Sequence, residues 1–396
     1  MEARQQEKLW TKDFILGTAI NFLLMVNYYG LMVVIADYSM KTYGSSPAVA
    51  GLAASIFIIG ALIARFITGG IMDRIGRRKL LVFGAIFEVI FSLMYLTGIG
   101  LGILFILRLL HGFAYGACST TIGTIVTALV PESRKGEGVG YYMLSVTLGA
   151  AVGPFLGMFL TQNAGFMVLF ITTAVVSVLC LLSVLTLHTP PSSSEKAATT
   201  ASAPQKFSMH NYIEFSVIPI SAACALLFFC YSSLLTFLTP FANEISLSGP
   251  ASFFFVVYAI AMFVTRPFTG KLFDRKGHRI VMIPAFIAFI VGMVILSSVH
   301  HAVAMLTAAA LLGYGVGTVQ SSALTMAVNI APDSRLSLAN STFYIFIDTG
   351  VGFGPLLLGL IEPFAGYRGL FFGMAIVACI SLVSYLIVSR EKKPVA

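Results

Sequence analysis

The phrase ARFITGGIMDRIGRR at residues 64–78 returns as TRPFTGKLFDRKGHR at residues 265–279. Both copies pass from an apolar run into a cluster of basic residues, and the equivalent acids Asp73 and Asp274 are 201 positions apart. An offset that holds along much of the chain indicates an internal duplication into two parallel copies. The same offset relates Gly112 and Gly313, Pro131 and Pro332, Gly149 and Gly350, and Pro154 and Pro355.

The composition is that of a membrane protein. Of the 396 residues, 58% are hydrophobic and only 10% are charged, whereas soluble domains carry about 25% charged residues. Apolar runs of about 18 or more residues can cross a bilayer as helices, and lipid offers the backbone no other hydrogen-bond partner. The runs predict an all-α membrane protein with twelve transmembrane helices, at residues 14–36, 47–72, 79–99, 102–130, 138–161, 165–187, 212–238, 250–273, 279–298, 302–330, 338–361 and 367–389.

A polar segment rich in Pro, Ser, Ala and Thr, at residues 188–211, separates the first six helices from the last six. Its composition predicts a flexible cytoplasmic linker. We therefore expect two pseudo-symmetric six-helix bundles, at residues 1–187 and 212–396. Parallel repeats of this kind are related by an axis along the membrane normal, which predicts a site between the halves near mid-membrane.

The net charge of +8 follows from an asymmetric distribution of Lys and Arg among the loops. Only Lys41 and Arg368 fall in the loops opposite to the amino terminus, so the positive-inside rule predicts that both termini are cytoplasmic in a bacterial cell membrane. This distribution explains the charge without nucleic acid. The five cysteines lie in apolar runs without a metal-ligand spacing, so neither a disulfide framework nor a metal site is predicted.

The repeated phrase places a glycine and an acid ahead of its basic residues. The basic residues alone are explained as a topology signal. The Gly and Asp at fixed places also suit a conformational latch, because a carboxylate at a helix boundary interacts favourably with the amino end of another helix. The residues of this predicted latch are Gly69, Asp73, Arg74, Gly76, Arg77, Asp274 and Arg275.

The stretch GGIMDRIGRRKLL at residues 69–81 resembles motif A of the major facilitator superfamily, G-x-L-x-D-R-x-G-R-K-x-x-L, with Ile71 and Arg78 as departures. The stretch GKLFDRKGHR at residues 270–279 is similar to the second-half copy of that motif. The resemblance covers essentially the whole chain. It implies alternating access by rocking of the two halves, an outward-facing state stabilised by motif A, and a place for Arg134 in the charge network around Asp73.

The fourth predicted helix carries Arg108, His111 and Tyr115, which share one helical face. An arginine this deep in a spanning helix is costly and usually faces a cavity or a partner. The segment resembles motif B of the drug:proton antiporter branch, L-x-x-x-R-x-x-Q-G, in which the arginine is linked to proton transfer. His111 replaces the glutamine, which introduces either a titratable group or only another hydrogen-bonding residue.

The fifth predicted helix contains GAAVGPFLG, in which small residues at intervals of four permit close helix packing. The segment also resembles motif C, G-x-x-x-G-P-x-x-G-G, with Met158 in place of the last glycine. Motif C marks the exporters of the superfamily, so the resemblance implies outward transport. The residues concerned are Gly149, Gly153, Pro154 and Gly157.

Two of the sixteen acidic residues, Glu88 and Asp348, fall well inside predicted helices. A carboxylate in a low-dielectric setting suits reversible proton uptake, so both are candidates for proton coupling together with Arg108. The alternative is a structural, hydrogen-bonded acid. Asp37 lies at a predicted outer helix end, where we expect it to be solvated.

Aromatic residues with a few polar groups are predicted to line a substrate cavity for lipophilic or amphipathic solutes. The same residues also suit simple helix packing. The candidates are Asn21, Asn27, Tyr28, His111, Tyr115, Phe228, Tyr231, Gln320 and Tyr344.

Taken together, these features predict a secondary transporter that exports small solutes in exchange for protons. It would act as a monomer, with the proton gradient as its energy source and no cofactor. The alternative is a dedicated exporter of a metabolite, sugar or metal chelator, and an importer is disfavoured by the motif C resemblance. An enzyme or an ATP-driven pump is not predicted, since the chain contains no P-loop, nucleophile elbow or metal-ligand cluster.

A latch at Asp73 makes a kinetic prediction. Asp73→Asn should slow transport without abolishing substrate binding, because a latch acts on the conformational change and not on the site. Transport rates in vesicles and equilibrium binding of the same substrate separate the two effects. A large loss of binding affinity would contradict the latch.

Overall fold

A computed structural model describes residues 8–98, 100–131, 135–189, 213–331 and 336–389. Within these ranges every regular element is a helix, which confirms the all-α prediction. Two short 3₁₀ turns, Tyr95–Thr97 and Phe215–Val217, accompany the α-helices.

Among the described residues, seven α-helices lie in the first half of the chain. Each long helix coincides with an apolar run. Glycines such as Gly76 and Gly165 lie at the breaks between successive helices. Their bounds are α1 Lys12–Met32, α2 Ile35–Tyr43, α3 Pro47–Ile75, α4 Arg77–Met94, α5 Leu101–Leu129, α6 Lys135–Ala164 and α7 Phe166–Thr186.

The second half repeats this order. Its last element is continuous over 53 residues except at Gly366, where the backbone leaves the helical region with φ 62° and ψ 171°. The bounds are α8 Ile218–Glu244, α9 Ser248–Ser252, α10 Phe254–Lys276, α11 His278–Ser297, α12 Ala302–Ile330 and α13 Leu336–Val388.

Eleven stretches of the described chain are long and apolar enough to cross a membrane. The last of them, Ser341–Val388, has 48 residues, about twice the length that a single crossing needs. Gly366 divides it, so the structure is consistent with twelve crossings.

Two compact units can be distinguished by their internal contacts, and their boundary does not follow the repeat. Residues up to Leu31 belong to one unit, Met32–Ile58 belong to the other, and the chain returns to the first unit at Ile59. We call the first unit, which contains α1 to Leu31 and the chain from Ile59 through α7, the amino-terminal unit. The carboxy-terminal unit contains Met32–Ile58 and the helices from α8 onward. The division into bundles at 1–187 and 212–396 stays a prediction, and residues 190–211 of the predicted linker lie outside the described residues.

Small residues bring α6 against α1 in the amino-terminal unit. A Cβ added at Gly153 would lie 2.8 Å from the Val26 carbonyl oxygen and 3.0 Å from the Gly30 amide nitrogen. Gly149 is packed in the same way against Met25, and Gly157 against Gly30. The motif C glycines therefore allow a close backbone contact between α1 and α6. Pro154, which lies between Gly153 and Gly157 in the sequence, is accommodated inside α6.

The equivalent glycines make the equivalent contact in the carboxy-terminal unit. Gly350 on α13 lies against Ala225 and Phe229 of α8, and Gly354 lies against Ser232. Because α8 opens the second half as α1 opens the first, the duplication extends from the sequence to the packing.

This packing predicts a difference between two single-methyl substitutions. Gly153→Ala should lower the free energy of unfolding by about 1–3 kcal/mol, because the added methyl meets backbone. Gly373→Ala is the matched control on α13, since a Cβ there meets nothing within 4 Å, and the control should be neutral or stabilising. Thermal unfolding of the purified variants in detergent measures both. Equal melting temperatures would contradict the close contact.

Candidate functional site

The two copies of the repeated phrase fold into the same helix–glycine–helix turn. α3 ends at Ile75 and α4 begins at Arg77, with Gly76 between them at φ 92°. Gly277 takes the same place between α10 and α11 at φ 82°. A positive φ of this kind favours glycine, which explains why both copies carry one.

Part of the predicted latch can be placed and part cannot. Arg77 begins α4, and Arg275 is exposed near the end of α10. The backbone positions of the others are helical, but their side chains lie outside the described residues, as does all of Arg134. This holds for Gly69, Asp73, Arg74 and Asp274.

Arg78 and Arg279, which occupy equivalent positions in the two copies, make equivalent contacts. From the sequence, such basic residues are explained as topology signals. Arg78 donates from Nη2 to the Leu185 carbonyl in the last turn of α7, at 3.3 Å. Arg279, its repeat counterpart, donates from Nη2 to the Ser389 carbonyl just after α13, at 2.9 Å. Cations at the carboxyl end of a helix are stabilising, so each arginine ties the motif A turn to the last helix of its own half.

A buried network of ionisable groups lies between α4 and α5 in the amino-terminal unit. Glu88 and His111 are 2% and 1% exposed, and the Glu88 Oε2 and His111 Nε2 atoms are 3.1 Å apart. The Tyr95 hydroxyl is 3.2 Å from His111 Nδ1, and the Arg108 guanidinium is a charged neighbour of the same hydroxyl. Two of the three predicted coupling residues, Arg108 and Glu88, are thus joined through His111 and Tyr95.

Tyr115, one turn further along α5, faces α1. Its hydroxyl donates to the Met25 sulfur at 3.3 Å, and its ring stacks on Tyr28 with a centroid distance of 4.9 Å. Tyr28 remains partly exposed. Arg108, His111 and Tyr115 do share one buried helical face, as their spacing predicts, but they contact different neighbours.

The two asparagines of α1 are bonded within the amino-terminal unit. Asn21 donates to Ser145 Oγ at 2.8 Å and accepts from the Tyr142 hydroxyl at 3.0 Å. Asn27 donates to Ser177 Oγ at 2.7 Å, and Ser177 in turn contacts Ser92 at 2.8 Å. Both asparagines are buried. The two polar atoms of the Asn21 side chain and the Asn27 amide nitrogen have protein partners, whereas Asn27 Oδ1 has none among the described residues. A cavity role for the two asparagines stays a prediction.

The predicted site residues of the carboxy-terminal unit fall into two groups. Phe228 and Tyr231 are buried on α8, where Tyr231 stacks on Tyr258 with centroids 5.8 Å apart. Gln320 on α12 and Tyr344 and Asp348 on α13 are half-buried. Tyr344 and Asp348 are one helical turn apart on the same face, as the sequence predicts.

A family model described as Major Facilitator Superfamily matches residues 17–276 and 248–396. The chain belongs to the major facilitator superfamily. The transporter is 23% identical over 379 residues to an uncharacterized MFS-type transporter of Methanocaldococcus jannaschii, with 93% of this chain and 96% of the relative covered. It is 24% identical to multidrug resistance protein 1 of Bacillus subtilis, with 84% and 85% covered. It is 26% identical to multidrug resistance protein MdtG of Escherichia fergusonii, with 97% and 94% covered.

Solved structures of the same fold include other transporters. The nucleoside transporter NupG, as a D323A mutant, aligns with a TM-score of 0.76 at 14% identity over 95% of this chain and 99% of that chain. A POT family transporter in complex with a thioalcohol-conjugated peptide aligns with a TM-score of 0.77 at 16% identity over 96% of both chains. These likenesses confirm the fold of a multi-pass membrane transporter.

One acid of this transporter lies in a setting that its sequence did not indicate. Asp37 is 4% exposed, so the expectation of a solvated acid is wrong. Its carboxylate lies 2.9 Å from Lys41 Nζ and accepts from Asn243 Nδ2 at 3.1 Å. Ser248 donates to Asn243 Oδ1 at 2.7 Å. The i, i+4 spacing of Asp37 and Lys41 was the one available signal, whereas Asn243 is 206 positions away.

The Asp37 cluster predicts unequal effects of its two partners. Asn243→Ala should lower the free energy of unfolding by about 1.5–3 kcal/mol, because it removes a hydrogen bond to a buried carboxylate. Lys41→Ala should cost about 1 kcal/mol or less, since half of the Lys41 side chain is in contact with solvent and such pairs contribute little. Thermal unfolding in detergent at matched salt compares the two. A larger effect at Lys41 would contradict this ranking.

Proposed function

We propose that this transporter exports lipophilic or amphipathic solutes in exchange for protons, by alternating access. The observation that carries the proposal is the burial of ionisable side chains inside spanning helices, above all Arg108 at 1% exposure. Such residues are costly in a membrane and typically serve ion or proton pathways. Neither an ATP site nor a cofactor enters the proposal, and the proton gradient is the energy source.

Asp348 is the proposed proton carrier of the carboxy-terminal unit. It is half-buried in the middle of a spanning stretch of α13, four residues after Tyr344. Its repeat counterpart is Thr147, so the acid is not a requirement of the repeated fold. Proton binding to Asp348 would favour one orientation of the transporter, and substrate binding would compete with it.

Aromatic side chains support the proposed substrate class. Tyr28 and Tyr115 stack in one unit, and Tyr231 and Tyr258 stack in the other. Flat aromatic surfaces bind apolar and cationic solutes without demanding a fixed hydrogen-bond pattern. The relatives named multidrug resistance proteins favour the same class.

Direction and placement complete the proposal. The close glycine packing of α6 on α1 is the structural counterpart of motif C, which supports export. The distribution of basic residues supports a cell-membrane location with both termini in the cytoplasm. The protein would act as a monomer.

Transport by purified protein in liposomes tests the function. With an imposed pH gradient, the wild type should accumulate dyes of the lipophilic cation class above the equilibrium level. Asp348→Asn should abolish this accumulation, whereas downhill exchange persists because the substrate site remains. Glu362→Gln is the matched control, since it neutralises a half-buried acid on the same helix.

Each outcome bears on one element of the proposal. If the wild type accumulates no solute in response to the pH gradient, proton coupling is refuted. Accumulation of sugars, metabolites or metal chelates, with no transport of dyes, would replace the proposed substrate class with a dedicated one. An Asp348→Asn variant that accumulates dye as the wild type does would exclude Asp348 as the carrier.

A further inference from the structure

We propose that Glu88 and His111 form a single proton-binding pair inside the amino-terminal unit, distinct from Asp348. The inference rests on the proposed function, because it supplies a second site for the coupled proton. His111 has so far been only a candidate cavity residue, and Glu88 only an isolated acid. The structure joins them at 3.1 Å, with both side chains 2% exposed.

The atoms of the pair leave one place open for a proton. Glu88 Oε2 faces His111 Nε2, whereas Glu88 Oε1 is buried and has no hydrogen-bond partner among the described residues. A buried carboxylate oxygen without a partner is unfavourable as an anion. Protonation of that oxygen would neutralise the acid without disturbing the bond to His111.

The hydrogen bonds define both protonation states. With Glu88 ionised, the His111 Nε2–H group donates to Oε2, and Nδ1 accepts from the Tyr95 hydroxyl. An added proton is held on Glu88 Oε1, while the hydrogen bonds of His111 to Glu88 Oε2 and to the Tyr95 hydroxyl are kept. Neither state requires a helix to move, because the distances of 3.1 Å and 3.2 Å serve both.

Arg108 makes both charge states of the pair possible. It is a cationic neighbour of Tyr95, and Glu88 is an acidic neighbour of the same residue. The network around the pair is therefore neutral without the proton and carries one positive charge with it. The other titratable groups near Glu88 are Tyr95 on the 3₁₀ turn, Cys118 on α5 and Cys180 on α7.

The second half of the chain shows that this network is not needed to hold the helices together. At the equivalent positions, 201 residues later, α11 and α12 carry Phe289 for Glu88, Leu312 for His111, Leu296 for Tyr95 and Ala309 for Arg108. All four of these side chains are fully buried. Apolar packing thus joins the same pair of helices in the other copy, whereas the first copy retains four charged or titratable groups at a desolvation cost.

The pair lies toward the end of α4 that the charge pattern assigns to the outside. Glu88 is six residues from the last residue of α4, about 9 Å by helical rise, and Tyr95 begins the turn that follows. The hydrogen bonds run from Tyr95 at the outer end through His111 to Glu88. This order suits a carrier that is loaded by external protons.

Infrared difference spectroscopy on purified, substrate-free protein tests the pair directly. Lowering the pH stepwise should produce the band of a protonated carboxyl group in the wild type, because Glu88 takes up the proton. Glu88→Gln should lose the band, and His111→Gln should lose it or shift its midpoint. Ser92→Ala is the control on α4, because it removes a buried hydroxyl one turn from Glu88 that does not titrate.

The liposome assay separates this inference from the proposed function. We expect Glu88→Gln and His111→Gln to lose pH-driven accumulation while keeping downhill exchange, with Ser92→Ala unchanged. Bands and accumulation that match the wild type in both variants would overturn the pair but leave proton-coupled export intact. A wild type without pH-driven accumulation would refute the function, and the infrared band would still decide whether the pair binds a proton. If one variant fails to fold, the other alone tests the proposal, because each replaces one partner of the Glu88–His111 hydrogen bond.

Discussion

The absence of hydrogen-bonding partners in a lipid bilayer is the constraint on which this structure depends. It forces the backbone into helices, and it makes a buried polar group without a hydrogen-bond partner costly. Four threonines of α5 illustrate the rule, because each donates to the carbonyl four residues earlier. Polar residues satisfied in this way are compatible with a membrane and carry no mechanism. Ionisable residues that join different helices are the ones that require an explanation.

The duplication separates what the fold needs from what the function needs. Two features present in both halves hold the helices of each half together: the glycine turn at Gly76 and Gly277, and the arginine contacts of Arg78 and Arg279 with the last helix of each half. Features present in one half alone, such as His111, are free of that requirement. A residue type found in only one of two equivalent positions is therefore not required by the fold that the two halves share.

The sequence predicted the repeated scaffold well, because each feature depends on local pattern. Length and apolarity predict the helices, and glycines spaced by four predict close packing such as that of Gly153 on α1. The predicted neighbours of polar residues were less accurate. Which face of a helix meets which neighbour depends on its rotation about its own axis, and apolar residues cover both the lipid-facing and the buried faces here. The pairing of His111 with Glu88 and the burial of Asp37 against Asn243 therefore had no signal in the apolar pattern.

A duplicated transporter gains from carrying its charges unequally. If both halves held the same titratable group at equivalent positions, a change of protonation would act on both copies of the scaffold alike. The arrangement here differs, since Asp348 is opposed in the repeat by Thr147 and Glu88 by Phe289. Under the proposed coupling, each half would respond to a proton at a position where the other half has no titratable group. Because a charge inside the bilayer is costly, its loss or gain changes the free energy of the protein strongly. A shift of the equilibrium between two conformations requires a free-energy difference of this kind.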